Sequence, residues 1–356
     1  MNALLYCIRQ GLLVIGLCCA GNGLWAQYDS SYVADYRDRL VVSLFQFARF
    51  QQLDITQSLV GDTLGQSIIQ YKSSSRLMNG IGVDWDKISF SLSWRTPAEK
   101  GLEDRTGRSA ARNLALSFNL KRWRIESFYR MYKGFYDQNI STIPDFTVET
   151  PYHQNPELLV RTGKIKAMYF RNKKKHFSYA AAYANTQRQL KSASSFVLII
   201  DGYAQEIGSS AGLFGDYIPE QYYEGYRNLH SIKLAGIAVV PAVSVNLVIF
   251  KRIFANGTLG VGPQLQYRKL NDVSNGVRRE LKMHFTSGDA RFSFGYNGAN
   301  FFIYSWFTGD FDVFKFNDIQ VNRQLINSGV TLGYRFKLPE NRFTRYIKEH
   351  PYYRAV

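Results

Sequence analysis

The strictest constraint on this chain is an alternation of period two. Ile81, Val83 and Trp85 are separated by Gly82 and Asp84; after the pair Asp86-Lys87, Ile88, Phe90, Leu92 and Trp94 are separated by Ser89, Ser91 and Ser93. Only a β-strand sends successive side chains to opposite faces, so each segment reads as a strand with one apolar and one small, polar face. Two alternating segments joined by two residues form a β-hairpin.

The device recurs along the chain. Leu114, Leu116, Phe118 and Leu120 lead through Lys121-Arg122 to Ile125, Ser127, Tyr129 and Met131, opposite Glu126, Phe128, Arg130 and Tyr132. Lys164 to Phe170 lead through Asn172-Lys173-Lys174-Lys175 to Phe177, Tyr179, Ala181 and Tyr183, read as a further hairpin in which His176 begins the second strand. Val243 to Ile249 turn at Lys251-Arg252 into Leu259, Val261, Leu265 and Tyr267; Phe292, Phe294 and Tyr296 turn at Asn297-Gly298 into Phe302, Tyr304 and Trp306; Val330 to Phe336 close the series. No stretch sustains a helical period, so the expected fold class is all-β.

Short turns alternate with longer connections at 51–66, 97–111, 138–160, 269–278 and 315–324. That rhythm, with strands of ~10 residues or more, fits a single antiparallel transmembrane β-barrel better than a β-sandwich, whose strands run to ~5 or 6. The expected count is about 12–14 strands. It turns on Pro241, which costs a ladder hydrogen bond and is read here as a turn; that reading puts the connection 207–228 on the periplasmic side. The chain then divides into a signal peptide over 1–26, a barrel over 27–337 and a C-terminal periplasmic tail over 338–356.

The leader reading rests on Arg9, the apolar stretch GLLVIGLCCAG and the small residue Ala26 before Gln27, the order of a secretory signal. All three cysteines, Cys7, Cys18 and Cys19, lie within it, so the exported chain offers no disulfide and no thiolate chemistry. No later run approaches the ~18 apolar residues of a membrane helix. A mean hydropathy of −0.24 is compatible with a barrel in which only alternate residues meet lipid, and 24 Tyr and 25 Phe suit strands and membrane interfaces.

The segments YDSSYVADYRDRLVVSLF at 28–45, YKGFYDQN at 132–139, HFSYAAAY with QRQLKSASSF at 176–196, and GYRF at 333–336 together resemble the domain-of-unknown-function family 4421. The resemblance implies an outer-membrane β-barrel of a Gram-negative bacterium and supplies no catalytic residue. The triplet Asp62-Thr63-Leu64 also resembles an O-glycosylation site of exported bacterial proteins.

No catalytic, cofactor-binding or metal-binding residues stand out. Of the five histidines, His153 falls in a loop, His230 precedes a strand and His350 lies in the tail, while His284, near Ser287, is the best base for a lipid-cleaving serine. No spacing supports that pairing. Neither HExxH nor His-x-His occurs, and Gly257, Gly260 and Gly262 precede no helix, so they make no nucleotide loop. The expectation is therefore a barrel without enzymatic activity or cofactor, either structural or a narrow passive channel. The alternatives are a lipid-acting barrel enzyme and a soluble secreted β-protein.

Charge narrows the partners. Lys and Arg number 44 against 28 Asp and Glu, a formal +16. Such a barrel could meet lipopolysaccharide phosphates at its rim or line its lumen with cations, and would be inserted by the barrel assembly machinery. Export removes it from nucleic acid. Charge is costly on a lipid face, so Arg122, Arg124, Arg130, Arg268 and Arg335 are expected to point inward. There they either line an open, anion-favouring pore or pair with Asp84 and Glu126 in a salt-bridged plug.

Overall fold

The computed structural model describes residues 28–58, 66–74, 77–97, 99–120, 122–138, 152–171, 176–215, 218, 223, 226–272, 276–316, 319–339, 346 and 349. The leader, the Asp62-Thr63-Leu64 triplet and nearly all of the tail lie outside the described residues.

The strands are β1 (Val33–Asp35), β2 (Arg39–Ser58), β3 (Gln66–Lys72), β4 (Leu77–Trp85), β5 (Ile88–Arg95), β6 (Ala110–Asn119), β7 (Trp123–Asp137), β8 (His153–Phe170), β9 (Gln187–Gln189), β10 (Ala193–Gly208), β11 (Leu229–Ile249), β12 (Ile253–Asp272), β13 (Gly276–Asn297), β14 (Phe301–Phe316) and β15 (Ile319–Lys337). Among the described residues, two short helices are α1 (Lys100–Thr106) and α2 (Ala180–Tyr183). Apart from the small β1–β9 pair, the strands form one antiparallel wall, closed where β15 pairs β2 from Lys337↔Arg39 to Ile319↔Gln57. Closure joins the first strand of the wall to the last, which an open sheet would leave as two edges.

The closed barrel has twelve staves, because β3 and β4 are two parts of one. β4 pairs Leu40–Ala48 of β2, and β3 pairs its continuation from Gln52 to Ser58. Beyond the short β5–β6 hairpin, β3 meets β7 directly at Tyr71↔Asp137. Ser74 and Ser109 are hydroxyl-bonded at 2.8 Å across this seam, and Ser109 donates to the Gly134 carbonyl at 2.8 Å. Gly134 has φ 83°, and a Cβ there would fall 2.3 Å from the Arg108 carbonyl oxygen, so the junction needs glycine.

The alternation has the expected sense. On β5, Leu92 and Trp94 are 42% and 46% exposed whereas Ser89 and Ser93 are 9% and 6%. Ile237, Val239, Val243, Leu247, Leu259 and Val261 extend the exposed apolar face over β11 and β12. An exposed apolar exterior around a polar interior is the inverse of a soluble protein and is what lipid requires. Aromatic pairs edge the belt at the end carrying the tight turns: Trp123–Tyr169 at 5.1 Å, Tyr296–Phe301 at 6.4 Å and Tyr334–Phe336 at 4.8 Å.

Several expectations need correction. Pro241 lies within β11, which runs unbroken, so the connection after β10 emerges at the end opposite the tight turns. The missing N–H is tolerated because the β11–β12 ladder is interrupted between Ala238↔Gln264 and Ala242↔Gly260, beside the irregularity at Gly262/Gln264. A Cβ on Gly262 would fall 2.0 Å from the Val239 carbonyl oxygen, so glycine permits this close approach. The stretch Phe177–Tyr183 is not a strand: Phe177, Ser178, Tyr179 and Ala181 are all buried, and α2 forms there instead. Neither His176 nor Arg122 lies on a strand; Arg122 sits exposed in the β6–β7 turn, and His230 is inside β11. The connections expected at 269–278 and 315–324 are mostly strand, and those expected at 51–66 and 138–160 are strand over 51–58 and 153–160, which puts His153 at the start of β8 rather than in a loop; these strands continue past the apolar belt, where lipid no longer imposes alternation.

Candidate functional site in the lumen

The inward-facing residues divide the lumen into three layers. At the turn end, β1 and residues 176–190 fold across the mouth. Arg335, 1% exposed, holds this segment: it donates to the carbonyl oxygen of Asn185 at 2.6 Å and to Oδ1 of Asn297 at 2.6 Å. Asn297 donates to the carbonyl of Ala181 at 3.0 Å, Asn246 to that of Ser178 at 2.8 Å, and Asn185 to the Tyr304 hydroxyl at 3.3 Å. Outside this, His176 stacks on Tyr32 at 3.6 Å and pairs with Asp29 at 3.3 Å. Hydrogen bonds from Ser31, and then the neighbouring His176, hold the Asp29 carboxyl below its ordinary value.

At the loop end the filling is apolar. Leu213, Phe214, Ile218, Tyr223 and Tyr226, from the connection between β10 and β11, pack inward against Leu53, Ile55, Tyr71, Leu158, Val160 and Ile232 of the wall. Tyr71 donates to the Leu213 carbonyl at 2.7 Å and Tyr223 to that of Ile55 at 2.9 Å. Both phenols thereby satisfy their polar atoms while burying their rings.

Between these layers lies a belt of charge. Glu126 pairs with Arg124 at 2.8 Å and Arg291 at 2.9 Å; Asp289 pairs with Arg291 at 2.9 Å and with Lys166. Lys164 reaches Asp201 at 2.5 Å and Asp310 at 3.4 Å, and Arg130 lies 3.7 Å from Asp310. The Tyr179 hydroxyl accepts from Arg291 at 2.7 Å, tying the turn-end segment to the belt. Shared hydrogen-bonded pairing is what makes ions tolerable away from water.

Beside the belt is a cavity of about 300 Å³. It exists because β4, β5 and β6 present small residues, Gly82, Ser89, Ser93, Ala115 and Ser117, where the opposite wall presents arginine and lysine. Arg49, Phe47, Trp306 and Asn327 line its other boundary, and Tyr183 and Asn185 reach it from the turn-end segment.

Of the arginines expected inward, Arg124, Arg130, Arg268 and Arg335 are there; Arg124 and Arg130 join the belt, while Arg268 bonds Gln266 at 2.6 Å. Glu126 pairs as expected, whereas Asp84, buried, is hydrogen-bonded to Ser89. Sequence reading missed Arg49, Lys164, Lys166, Asp201, Asp289, Arg291 and Asp310. Their signal was present, since Arg291 and Asp289 occupy the polar phase of the strand whose apolar phase is Phe292 and Phe294. His284 stands opposite Gln264 in the β12–β13 register, its side chain outside the described set. Gly260 and Gly262 lie on the inward phase of β12 and Gly257 on the other. Among the described residues, no three His, Asp or Glu gather to hold a metal.

A family model described as "Domain of unknown function (DUF4421)" matches residues 27–336. No curated protein matches. Among solved structures, the outer-membrane protease OmpT of Escherichia coli aligns over 85% of this chain and 98% of its own, at 9% identity and TM-score 0.36. The translocator domain of the autotransporter NalP from Neisseria meningitidis aligns over 94% and 98%, at 10% identity and TM-score 0.31. The toluene transporter TodX of Pseudomonas putida aligns over 83% and 89%, at 5% identity and TM-score 0.28.

Proposed function

Because the chain belongs to the DUF4421 family, whose description assigns no activity, we infer its role from its own lumen: a Gram-negative outer-membrane barrel that is closed at rest and serves the envelope as a structural body rather than as a free-flowing pore. One observation carries this reading, the occupation of both mouths by the chain's own residues, 176–190 at one end and Leu213, Phe214, Ile218, Tyr223 and Tyr226 at the other. The paired charge between them supports it, because a barrel of this size can be filled by inward side chains.

The apolar belt and its aromatic edge support residence in the outer membrane, with tight turns toward the periplasm and the barrel assembly machinery as the route of insertion. Beyond the belt toward the loop end, Lys133, Arg161, Lys233, Arg278, Arg279 and Lys282 are exposed. Cations at that level suit lipopolysaccharide phosphates.

The reading is tested in the chain as exported, which carries no cysteine beyond residue 19. Ala181→Cys combined with Asn297→Cys places one thiol on the segment and one on the wall. A short bismaleimide is expected to join them in protein that fractionates with the outer membrane and shows heat-modifiable gel mobility. Absence of the link, with both thiols open to a membrane-impermeant maleimide, would mean that residues 176–190 do not fill the mouth.

A further inference from the structure

Arg49 is the exception in the belt. It is buried, 8% exposed, and lines the cavity, yet all its hydrogen-bond partners are neutral. It donates to Oδ1 of Asn327 and, at 2.7 Å, to Oδ1 of Asn113. Its guanidinium lies 4.9 Å from the Phe47 ring centre and 5.6 Å from that of Tyr132. Both asparagines are turned to accept by their own donations, Asn113 to Ser93 at 3.2 Å and Asn327 to Thr308 at 2.9 Å. Among the described residues no carboxylate lies within ion-pair distance of Arg49, Asp310 attracting it only from farther off while Arg130 repels it, and no described residue accepts from its Nη2.

The surroundings add positive charge. The belt holds Arg49, Arg124, Arg130, Lys164, Lys166 and Arg291 against Glu126, Asp201, Asp289 and Asp310, and the cations remain in excess when Asp84 is included. A buried cation without a counter-charge is strongly unfavourable, and a guanidinium fork is shaped to meet an oxyanion through paired N–H donors. An oxyanion in the cavity would complete the fork at Nη2, with the Ser93 and Thr308 hydroxyls nearby.

We propose that the cavity is a binding site for a small oxyanion, a free phosphate or the phosphate or carboxylate group of a small molecule, with Arg49 as its receptor. The aromatic faces of Phe47 and Trp306 and the small-residue wall of β4–β6 leave room for a compact body attached to that group. At about 300 Å³ the cavity is at the lower end of small-molecule sites. The site rests on the closed-lumen reading, and the two fail separately: a conducting wild-type barrel contradicts closure, whereas a silent barrel indifferent to anions contradicts only the site.

The full mature chain, refolded from urea into detergent to remove any carried ligand, is titrated with inorganic phosphate and, separately, with benzoate, each against chloride at matched ionic strength. The midpoint of thermal unfolding should rise and saturate with at least one oxyanion, since a ligand that binds only the folded state stabilises it by mass action. A response to phosphate alone identifies a phosphate site, and one to benzoate a site for an organic carboxylate. Arg49→Met should abolish the saturable rise, and Arg49→Lys, which keeps charge but loses the fork, should weaken it at least several-fold; heat-modifiable mobility reports that each variant is folded. If wild type shows no saturable rise with either anion, or if folded Arg49→Met responds as wild type does, the proposal is wrong.

Discussion

Ser91 and Leu92 are neighbours on β5 whose side chains meet different media: Leu92 is 42% exposed on the apolar exterior, and Ser91 lines the cavity. An arginine near the bilayer midplane costs about 2–4 kcal/mol. Leu92→Arg should therefore lower the yield of heat-modifiable protein in the outer membrane well below that of Ser91→Arg, whose charge points to the lumen. Equal losses in the two variants would remove the energetic meaning of the faces. At this scale the sequence was most readable where serine and large apolar residues alternate, as in β4 to β6. It was least readable in the lumen, because alternation tells which way Lys166 points but not that Asp289, 123 positions away on a facing strand, receives it. That pairing depends on barrel closure and shear, which no local pattern encodes.

At the scale of elements, the hairpins joined by tight turns were legible because a two-residue turn and a period of two are both local signals. Two elements were not. Pro241 fits inside β11 only because the neighbouring ladder opens beside Gly262, a condition set by another strand. Residues 177–183 imitate the strand period, but Phe177, Ser178, Tyr179 and Ala181 are buried together, which a lipid-facing strand would not allow. Arg335 is the clasp of this segment, and a hydrogen bond to a charged group contributes about 1.5–3 kcal/mol. Arg335→Ala should thus loosen residues 176–190 without unfolding the wall. Trypsin applied to the detergent-solubilised barrel should cut at Arg188 or Lys191 markedly faster in this variant, while heat-modifiable mobility persists. Arg268→Ala, which removes a buried arginine bonded to Gln266, is the control and should leave those sites as slow as in wild type. Equal cleavage in wild type and Arg335→Ala would show that the clasp does not hold the segment.

For the molecule as a whole, the formal +16 is not a count of free lumenal charge, because most lumenal cations pair with Glu126, Asp201, Asp289 and Asp310. Net charge was countable from the sequence; its distribution between rim and lumen required the closed wall. Whether the chain's own segments close the lumen is read from the conductance of purified wild-type barrel in a planar bilayer. A lumen closed in this way passes no steady current in the wild type. A steady current through it, preferring anions at 0.1 M salt and losing that preference at 1 M as the screening length falls from ~10 Å to ~3 Å, would contradict closure and point instead to an open lumen lined with uncompensated arginine and lysine.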